Sequence, residues 1–247
     1  MPSESQLNRI RLGQRISHLG YCSRRAADRL IAQGEVKVNG QVAVLGQKVT
    51  EKDVILISDK TLPNKRSQPW FILYHKPVGI VCSNAKTVAN NLPTALKKSG
   101  FVCNEHWFAV GRLDKDSEGI LLLTNYSEAA HALLHYQSQK NKEYIVTVDA
   151  KVSMEAIEVL RSGVKIGQTM TRPCDVFRLA EQVLMFRLVE GRHRQIRRMC
   201  QSVGLRVVRL QRISFAGLNV AGLAVGDFRK LATHEVEALK SVMGVIQ

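Results

Sequence analysis

Between Trp107 and Leu123 the chain passes from an apolar approach (Trp107-Phe108-Ala109-Val110) through Gly111-Arg112-Leu113-Asp114-Lys115-Asp116-Ser117-Glu118-Gly119 into the unbroken apolar run Ile120-Leu121-Leu122-Leu123. The run has the pattern of a buried strand. The nine residues before it hold two glycines and five charged side chains, so they form a loop that joins two core strands. A carboxylate held by rigid elements on both sides, as Asp114 is here, is a candidate for chemistry. The plainer alternative is a solvated charged turn.

With 247 residues the chain can hold one large domain, or a small one beside a medium one. Its net charge of +15 points to a polyanionic partner or an anionic surface. No run approaches the length of a membrane span, and MPSESQLNRIRLG lacks the apolar stretch of a signal peptide, so a membrane partner is not expected. Cys22, Cys82, Cys103, Cys174 and Cys200 are odd in number and never spaced as CxxC. They read as reduced thiols of a cytoplasmic protein, and neither a disulfide framework nor a zinc site is expected. His131 and His135 share a helix face, but such a pair more often packs or is solvated than binds metal; no metal is predicted.

Residues 1–8 read as a frayed tail. A short helix is expected from Leu12 to Leu19, closed by Gly20, and a second from an N-cap at Ser23 to Gln33, closed by Gly34. Arg9, Arg11, Arg15, Arg24, Arg25 and Arg29 stand along this pair against the single acid Asp28. Six arginines on so small a unit favour phosphate contact over a merely solvated face. Val36-Lys37-Val38 and Gln41-Val42-Ala43-Val44 flank Asn39-Gly40, which predicts a hairpin with a type I′ turn. Val54 to Ile57 adds a strand.

The domain boundaries are set at 9–58 for this module, 59–69 for a polar linker and 70–247 for a second domain. In the second domain a strand is expected over Trp70–Tyr74, broken by His75-Lys76-Pro77-Val78-Gly79 and followed by the apolar piece Ile80–Cys82. Helices are expected over Leu92–Lys98, Ser127–His135, Ser153–Arg161 and His193–Val203, with a closing helix capped by Thr233. Strands are expected over Ile145–Val148, Val164–Leu179, Val183–Val189 and within Leu205–Val220. The alternation gives an α+β fold: a small basic module and a larger domain around a mixed, mainly antiparallel sheet.

The most uneven charge lies between Arg187 and Arg212, where eight arginines face only Glu190. On a helix starting near His193, Arg194, Arg197 and Arg198 share a face while Ile196, Met199 and Cys200 turn to the core. Such a helix can send one arginine inward to a carboxylate while its neighbours meet phosphates. In Lys142-Glu143-Tyr144 the tyrosine either packs in the core or presents its face to a nucleobase. Sequence spacing does not choose between them.

The segment LGQRISHLGYCSRRAADRLIAQGEVKVNGQVAVLGQKV resembles the S4-type RNA-binding module. Behind it, HKPVGIVCS, AVGRLDKDSEGILLLTN, KEYIVTV, EGRHRQIRRMC and LQRISFAGL resemble, in order, the signatures of the RsuA-type RNA pseudouridine synthases that modify ribosomal RNA. KPVGIV, RLDKDSEG and KEYIVTVD look most like the RluF branch, large-subunit enzymes whose relatives also modify a tyrosine tRNA. The resemblance implies a pseudouridine synthase catalytic domain behind an S4-like module, with Asp114 as the catalytic aspartate, Tyr144 beside the target uracil and Arg197 paired with the aspartate. It implies RNA contact for Arg112, and a structural place for Lys76-Pro77. Arg194 and Arg198, with Arg11, Arg15, Arg24, Arg25 and Arg29 of the module, are further candidates for RNA binding. Asp116 receives no catalytic role, since two carboxylates two residues apart in a loop do not establish the separation that glycosidase chemistry needs.

The implied reaction cuts the N1–C1′ bond of uridine, turns the base and rejoins it through C5, so no cofactor is expected. The expected partners are 23S ribosomal RNA and tRNA, bound by a monomer. Two alternatives stand beside this reading: a non-catalytic RNA-binding ribosome-assembly factor, and a DNA-binding regulator. The presence of Asp114, Tyr144 and Arg197 together weighs against the first, and the lack of a recognition helix or dimerisation heptad against the second.

Overall fold

The structure, a computed structural model, describes residues 9–63, 68–85, 87–135 and 142–243. The tail expected over residues 1–8, residues 64–67 of the linker and the connection 136–141 lie outside the described residues. The chain forms two compact units. One comprises residues up to Trp70 together with Cys103–Phe108 and Thr124–Glu128; the other comprises Phe71–Val102, Ala109–Leu123 and the chain from Ala129 on.

The first unit opens with β1 (Ile10–Arg11), α1 (Leu12–His18) and α2 (Arg24–Ala32), followed by β2 (Val36–Val38), β3 (Gln41–Val42), β4 (Lys48–Val49), β5 (Ile55–Ile57) and β6 (Lys60–Thr61). Leu12, Ile16 and Leu19 recur at helical spacing and are buried, as are Ala27 and Ile31 on α2. Ser23 caps α2 by accepting a hydrogen bond from the Ala26 amide at 3.2 Å, an arrangement worth about 1 kcal/mol. The expected hairpin forms: Asn39 (φ 50°) and Gly40 (φ 84°) both take the left-handed conformation of a type I′ turn. Asn39 is fixed further by accepting from the Val54 amide at 2.9 Å and donating to Asp53 at 2.7 Å. The strand after the turn ends at Val42 rather than Val44, whose side chain is exposed. The sheet order is β3-β2-β5-β6, with β1 and β4 paired separately. Arg11, Arg24, Arg25 and Arg29 are exposed, whereas Arg15 is half-buried and lies 3.9 Å from Glu51.

The second unit and its boundary strands run β7 (Phe71–Lys76), α3 (Leu92–Lys98), β8 (Phe108–Val110), β9 (Glu118–Thr124), α4 (Ser127–His135), β10 (Lys142–Val148) and α5 (Met154–Ser162). They continue through β11 (Lys165–Ile166), β12 (Thr169–Met170), β13 (Asp175–Ala180), β14 (Val183–Leu188), α6 (Gln195–Ser202), β15 (Val207–Phe215), β16 (Leu218–Asn219), β17 (Phe228–Lys230) and α7 (Thr233–Met243). A nine-stranded sheet has the order β13-β14-β10-β15-β9-β7-β17, with β16 on β15 and β8 on β9. β10 pairs antiparallel with β14 and β15, and β7 with β17, whereas β9 and β15 run parallel. Every residue of β7 and β9 is buried, as the apolar run Ile120–Leu123 requires of a central strand. A second body of core, from Val146 and Val148 to Leu184, Phe186, Met199 and Cys200, lies beneath α5 and α6. Among the described residues no helix is long and apolar enough to cross a membrane.

Three expectations are corrected. β7 does not break at His75 but continues to Lys76, whose buried ammonium donates to the carbonyls of Pro77 and Ile80 at 2.9 Å each and so satisfies the turn that follows. The linker expected over 59–69 is entered later, because Lys60–Thr61 pairs with β5 and Leu62 is buried in the core of the module; Ile80–Cys82, read as an apolar piece, bridges to Asn91 through Val81. The long strand expected over Val164–Leu179 divides into the small hairpin β11–β12, turning at Gly167 (φ 64°), and the separate strand β13.

Candidate active site

Asp114 lies in the loop between β8 and β9, its side chain 28% exposed. The loop is held from within by a hydrogen bond from the Ser117 amide to the Asp114 carbonyl at 3.1 Å. From outside it is held by the Gly79 amide, which donates to the Lys115 carbonyl at 2.7 Å, and by Cys82 Sγ, which accepts from the Leu113 amide at 3.5 Å. The segment after β7 thus buttresses the loop, giving the HKPVGIVCS motif a physical part to play.

Tyr144 comes from the other half of the sheet. On β10 it stands opposite Phe186 of β14 and Arg212 of β15, where the register with β15 shifts between Glu143 and Tyr144. A shift of this kind re-aims the side chains beside it. Asp114 and Tyr144 line one cavity of about 500 Å³, together with Arg112, Lys142, Glu190, Arg192, Arg194 and Arg212. That volume accommodates a nucleoside-sized ligand. Glu190 is occupied by hydrogen bonds from the Arg172 amide at 3.1 Å, the Gln195 side chain at 2.7 Å and Arg192 at 3.3 Å. Lys142 has its pKa lowered by burial first and by the neighbouring Arg212 second, while Glu190 pulls it back up. Arg212 is buried, donates from Nε and Nη2 to the Ile120 carbonyl at 2.8 and 2.7 Å, and lies 5.2 Å from the Phe215 ring centre. The cavity wall is therefore strongly cationic around one accessible carboxylate.

The arginines of the RHRQIRR segment take up places other than those expected. α6 starts at Gln195 instead of His193, and Arg194 sits just ahead of it in the left-handed conformation (φ 53°, ψ 34°). Its side chain consequently leaves the helix face and runs to the Asp114 loop, with Nη1 3.9 Å from Asp114 Oδ2 and a bidentate pair to Asp116 at 3.0 and 2.9 Å. Arg197, expected to pair with Asp114, feels that carboxylate through its charge but hydrogen-bonds elsewhere: Nη2 donates to the Asp116 carbonyl at 2.7 Å and to Ser117 Oγ at 3.3 Å, and Nη1 to the Val207 carbonyl at 3.2 Å. Its Nε is 3.3 Å from Asp116 Oδ2 but too poorly aligned for a hydrogen bond. Arg197 does not line the cavity, and burial lowers its pKa. Arg198 is exposed, with its guanidinium beside Gly167 of the β11–β12 turn and away from the cavity. Ile196, Met199 and Cys200 are buried as expected.

Sequence reasoning gave no role to Asp116, Lys142 or Arg212. The first carried a signal in its spacing from Asp114 and the other two lay inside motifs already singled out, but only the packed sheet brings them together. Hydrogen bonds from Arg194 chiefly, and the charge of Arg197 beyond burial's opposing effect, hold Asp116 below the usual carboxylate range.

Residues 70–202 match the family described as RNA pseudouridylate synthase, and residues 10–55 match the S4 domain. The chain is 37% identical over 228 residues to the dual-specificity RNA pseudouridine synthase RluF of Escherichia coli K12, spanning 92% of this chain and 77% of that protein. It is 35% identical over 239 residues to the ribosomal large subunit pseudouridine synthase B of Bacillus subtilis, spanning 94% and 96% of the two. A crystal structure of a pseudouridylate synthase superposes with a TM-score of 0.65 at 25% identity, covering 93% of this chain and 99% of that one. The chain belongs to the RNA pseudouridine synthase family and carries an S4 domain at its N-terminal end.

Proposed function

We propose that this protein converts a specific uridine of large-subunit (23S) ribosomal RNA to pseudouridine, with Asp114 as the essential carboxylate. The observation that carries this is the convergence of Asp114 and Tyr144, from a loop and a strand distant in sequence, on one cavity with a cationic wall. Relatives over most of the chain are named for the ribosomal large subunit, which favours that RNA. The RluF relatives are named as dual-specific, and the sequence resemblance makes a tyrosine tRNA the second substrate to assay.

The target base leaves its stack to enter the cavity, at a cost of a few kcal/mol that is least in irregular or single-stranded RNA. The RNA-binding module, set at 9–58 from the sequence and extended by β6 (Lys60–Thr61) and the buried Leu62, precedes the catalytic domain 70–247. Arg11, Arg15, Arg24, Arg25 and Arg29 supply phosphate contacts on the module, and Arg112 with its cationic neighbours supplies them at the cavity. Arg198 reaches RNA only outside the cavity. Tyr144 stacks against the uracil while Asp114 acts as nucleophile or proton acceptor as N1–C1′ breaks and C5–C1′ forms. Atoms are conserved between uridine and pseudouridine, so the isomerisation draws on no external group. The enzyme works as a cytoplasmic monomer.

The test is a pseudouridine map of large-subunit RNA from cells with and without the gene, repeated with purified protein and unmodified transcript. One uridine should gain the modification with wild-type protein and none with Asp114→Asn, which should still bind the RNA. Binding without product by the wild-type protein would leave an assembly factor instead.

A further inference from the structure

Two carboxylates on one loop, Asp114 and Asp116, compete for one guanidinium. Arg194 gives Asp116 two parallel hydrogen bonds, Nη1 to Oδ1 at 3.0 Å and Nη2 to Oδ2 at 2.9 Å, while its Nη1 stays 3.9 Å from Asp114 Oδ2. The second distance is within ion-pair range yet too long for a hydrogen bond. Fork-to-fork pairing is the strongest arrangement an arginine makes with a carboxylate, and Asp116 has taken it. Arg197 closes the arrangement from the other side, with Nε 3.3 Å from Asp116 Oδ2 and Nη2 on the Asp116 carbonyl at 2.7 Å. Arg194 reaches this position only through a left-handed backbone (φ 53°). A residue without a glycine's freedom holds such a conformation only where its surroundings over-determine it.

We infer that Asp116 is a positioning residue that withholds Arg194 from Asp114, occupying the guanidinium fork so that an oxygen of Asp114 stays open to the substrate. The inference rests on the reading of Asp114 as the reacting carboxylate. A carboxylate engaged bidentately by arginine has its lone pairs directed at N–H donors and is a weaker nucleophile or base. Once Asp116 loses its charge, the nearby anion available to the fork is Asp114, and a small rotation of Arg194 closes the gap. Asp116 thus matters for a reason beyond holding the loop.

The two reasons separate in a double-mutant cycle on the full chain, read as the single-turnover rate at saturating enzyme and as the RNA dissociation constant. Asp116→Asn should slow the chemical step by roughly tenfold to a hundredfold, with RNA affinity changed less than about threefold. Adding Arg194→Gln to it should restore part of the rate, because the competing fork is gone. A loop staple alone predicts a double variant no faster than Asp116→Asn, and that result overturns the inference, as does an unchanged rate in Asp116→Asn. Asp116→Glu keeps the anion and should retain at least about a third of the rate; a fall in this variant to below about a tenth, with normal RNA affinity, also overturns it. Activity in Asp114→Asn would instead remove the underlying reading, so the two failures are distinguishable.

Discussion

Gly119 of β9 stands in register with Arg212 of β15 across the parallel pair, so close that a Cβ on the glycine would fall well short of van der Waals contact distance from the Arg212 backbone oxygen, nitrogen and carbonyl carbon. Its φ of 118° is also closed to other residues without strain. Both conditions fall on the strand that leaves the Asp114 loop. Gly119→Ala should therefore destabilise the protein by about 2–4 kcal/mol, combining overpacking with backbone strain. Chemical denaturation checks this as a lowered midpoint at an unchanged slope.

Glu235 near the start of α7 accepts from both terminal nitrogens of Arg229, at 2.6 and 2.7 Å, and from the Ala232 amide at 2.8 Å. The Arg229 hydrogen bonds chiefly, with the amide, lower its pKa from 4.5 to about 2. The unfolded chain takes up this proton near pH 4.5 and the folded one only near pH 2, so the stabilisation is whole above pH 4.5 and drains away as pH falls toward 2. Glu235→Gln should cost about 1–3 kcal/mol at neutral pH. The gap between the two proteins should close across that acid window in denaturation curves.

Tyr144 packs part of its ring against the core and turns the rest to the cavity. In an Asp114→Asn background, where bound RNA persists unreacted, Tyr144→Ala should weaken target RNA binding by about 1–3 kcal/mol through lost stacking. Tyr144→Phe keeps the ring and should bind as before. Fluorescence anisotropy with an RNA containing the target uridine separates the two.

Arg24, Arg25 and Arg29 are exposed on α2. Replacing all three with Gln should lower the slope of log affinity against log salt by about 2 to 3, as expected for three lost phosphate contacts. The slope, measured on one RNA over a range of salt, reports those contacts directly. An unchanged slope would place the phosphate contacts elsewhere.

The Asp114 loop was legible because its apolar flanks admit only buried strands, and the hairpin at Asn39-Gly40 because few residue pairs tolerate two left-handed conformations. Three features escaped. Lys76 reads as a strand breaker, since only the folded turn discloses the Pro77 and Ile80 carbonyls that accept its protons. The break in the strand expected over Val164–Leu179 was marked by Gly167 and Pro173, but the β-branched and apolar residues around them argued for continuity. Helical spacing predicts a start at His193 because it takes Arg194 as helical, whereas Arg194 has a left-handed backbone and its side chain pairs with Asp116, 78 residues away. That dihedral angle accompanies the pairing of Arg194 with Asp116, whereas Arg197 makes its contacts from within the helix.

The parallel pairing of β9 with β15 also has a consequence for synthesis. Hairpin neighbours such as β13 and β14 can zip up as they emerge, but Glu118–Gly119 must wait for Gln211–Arg212, and Asp116 for arginines 78 and 81 positions downstream. Contacts of such long range come late in folding. The helices and strands of the N-terminal basic unit have all been made by Thr61, whereas the cavity lined by Asp114 and Arg212 remains unassembled until Arg212 has left the ribosome. A nascent copy can thus grip RNA well before it can alter it.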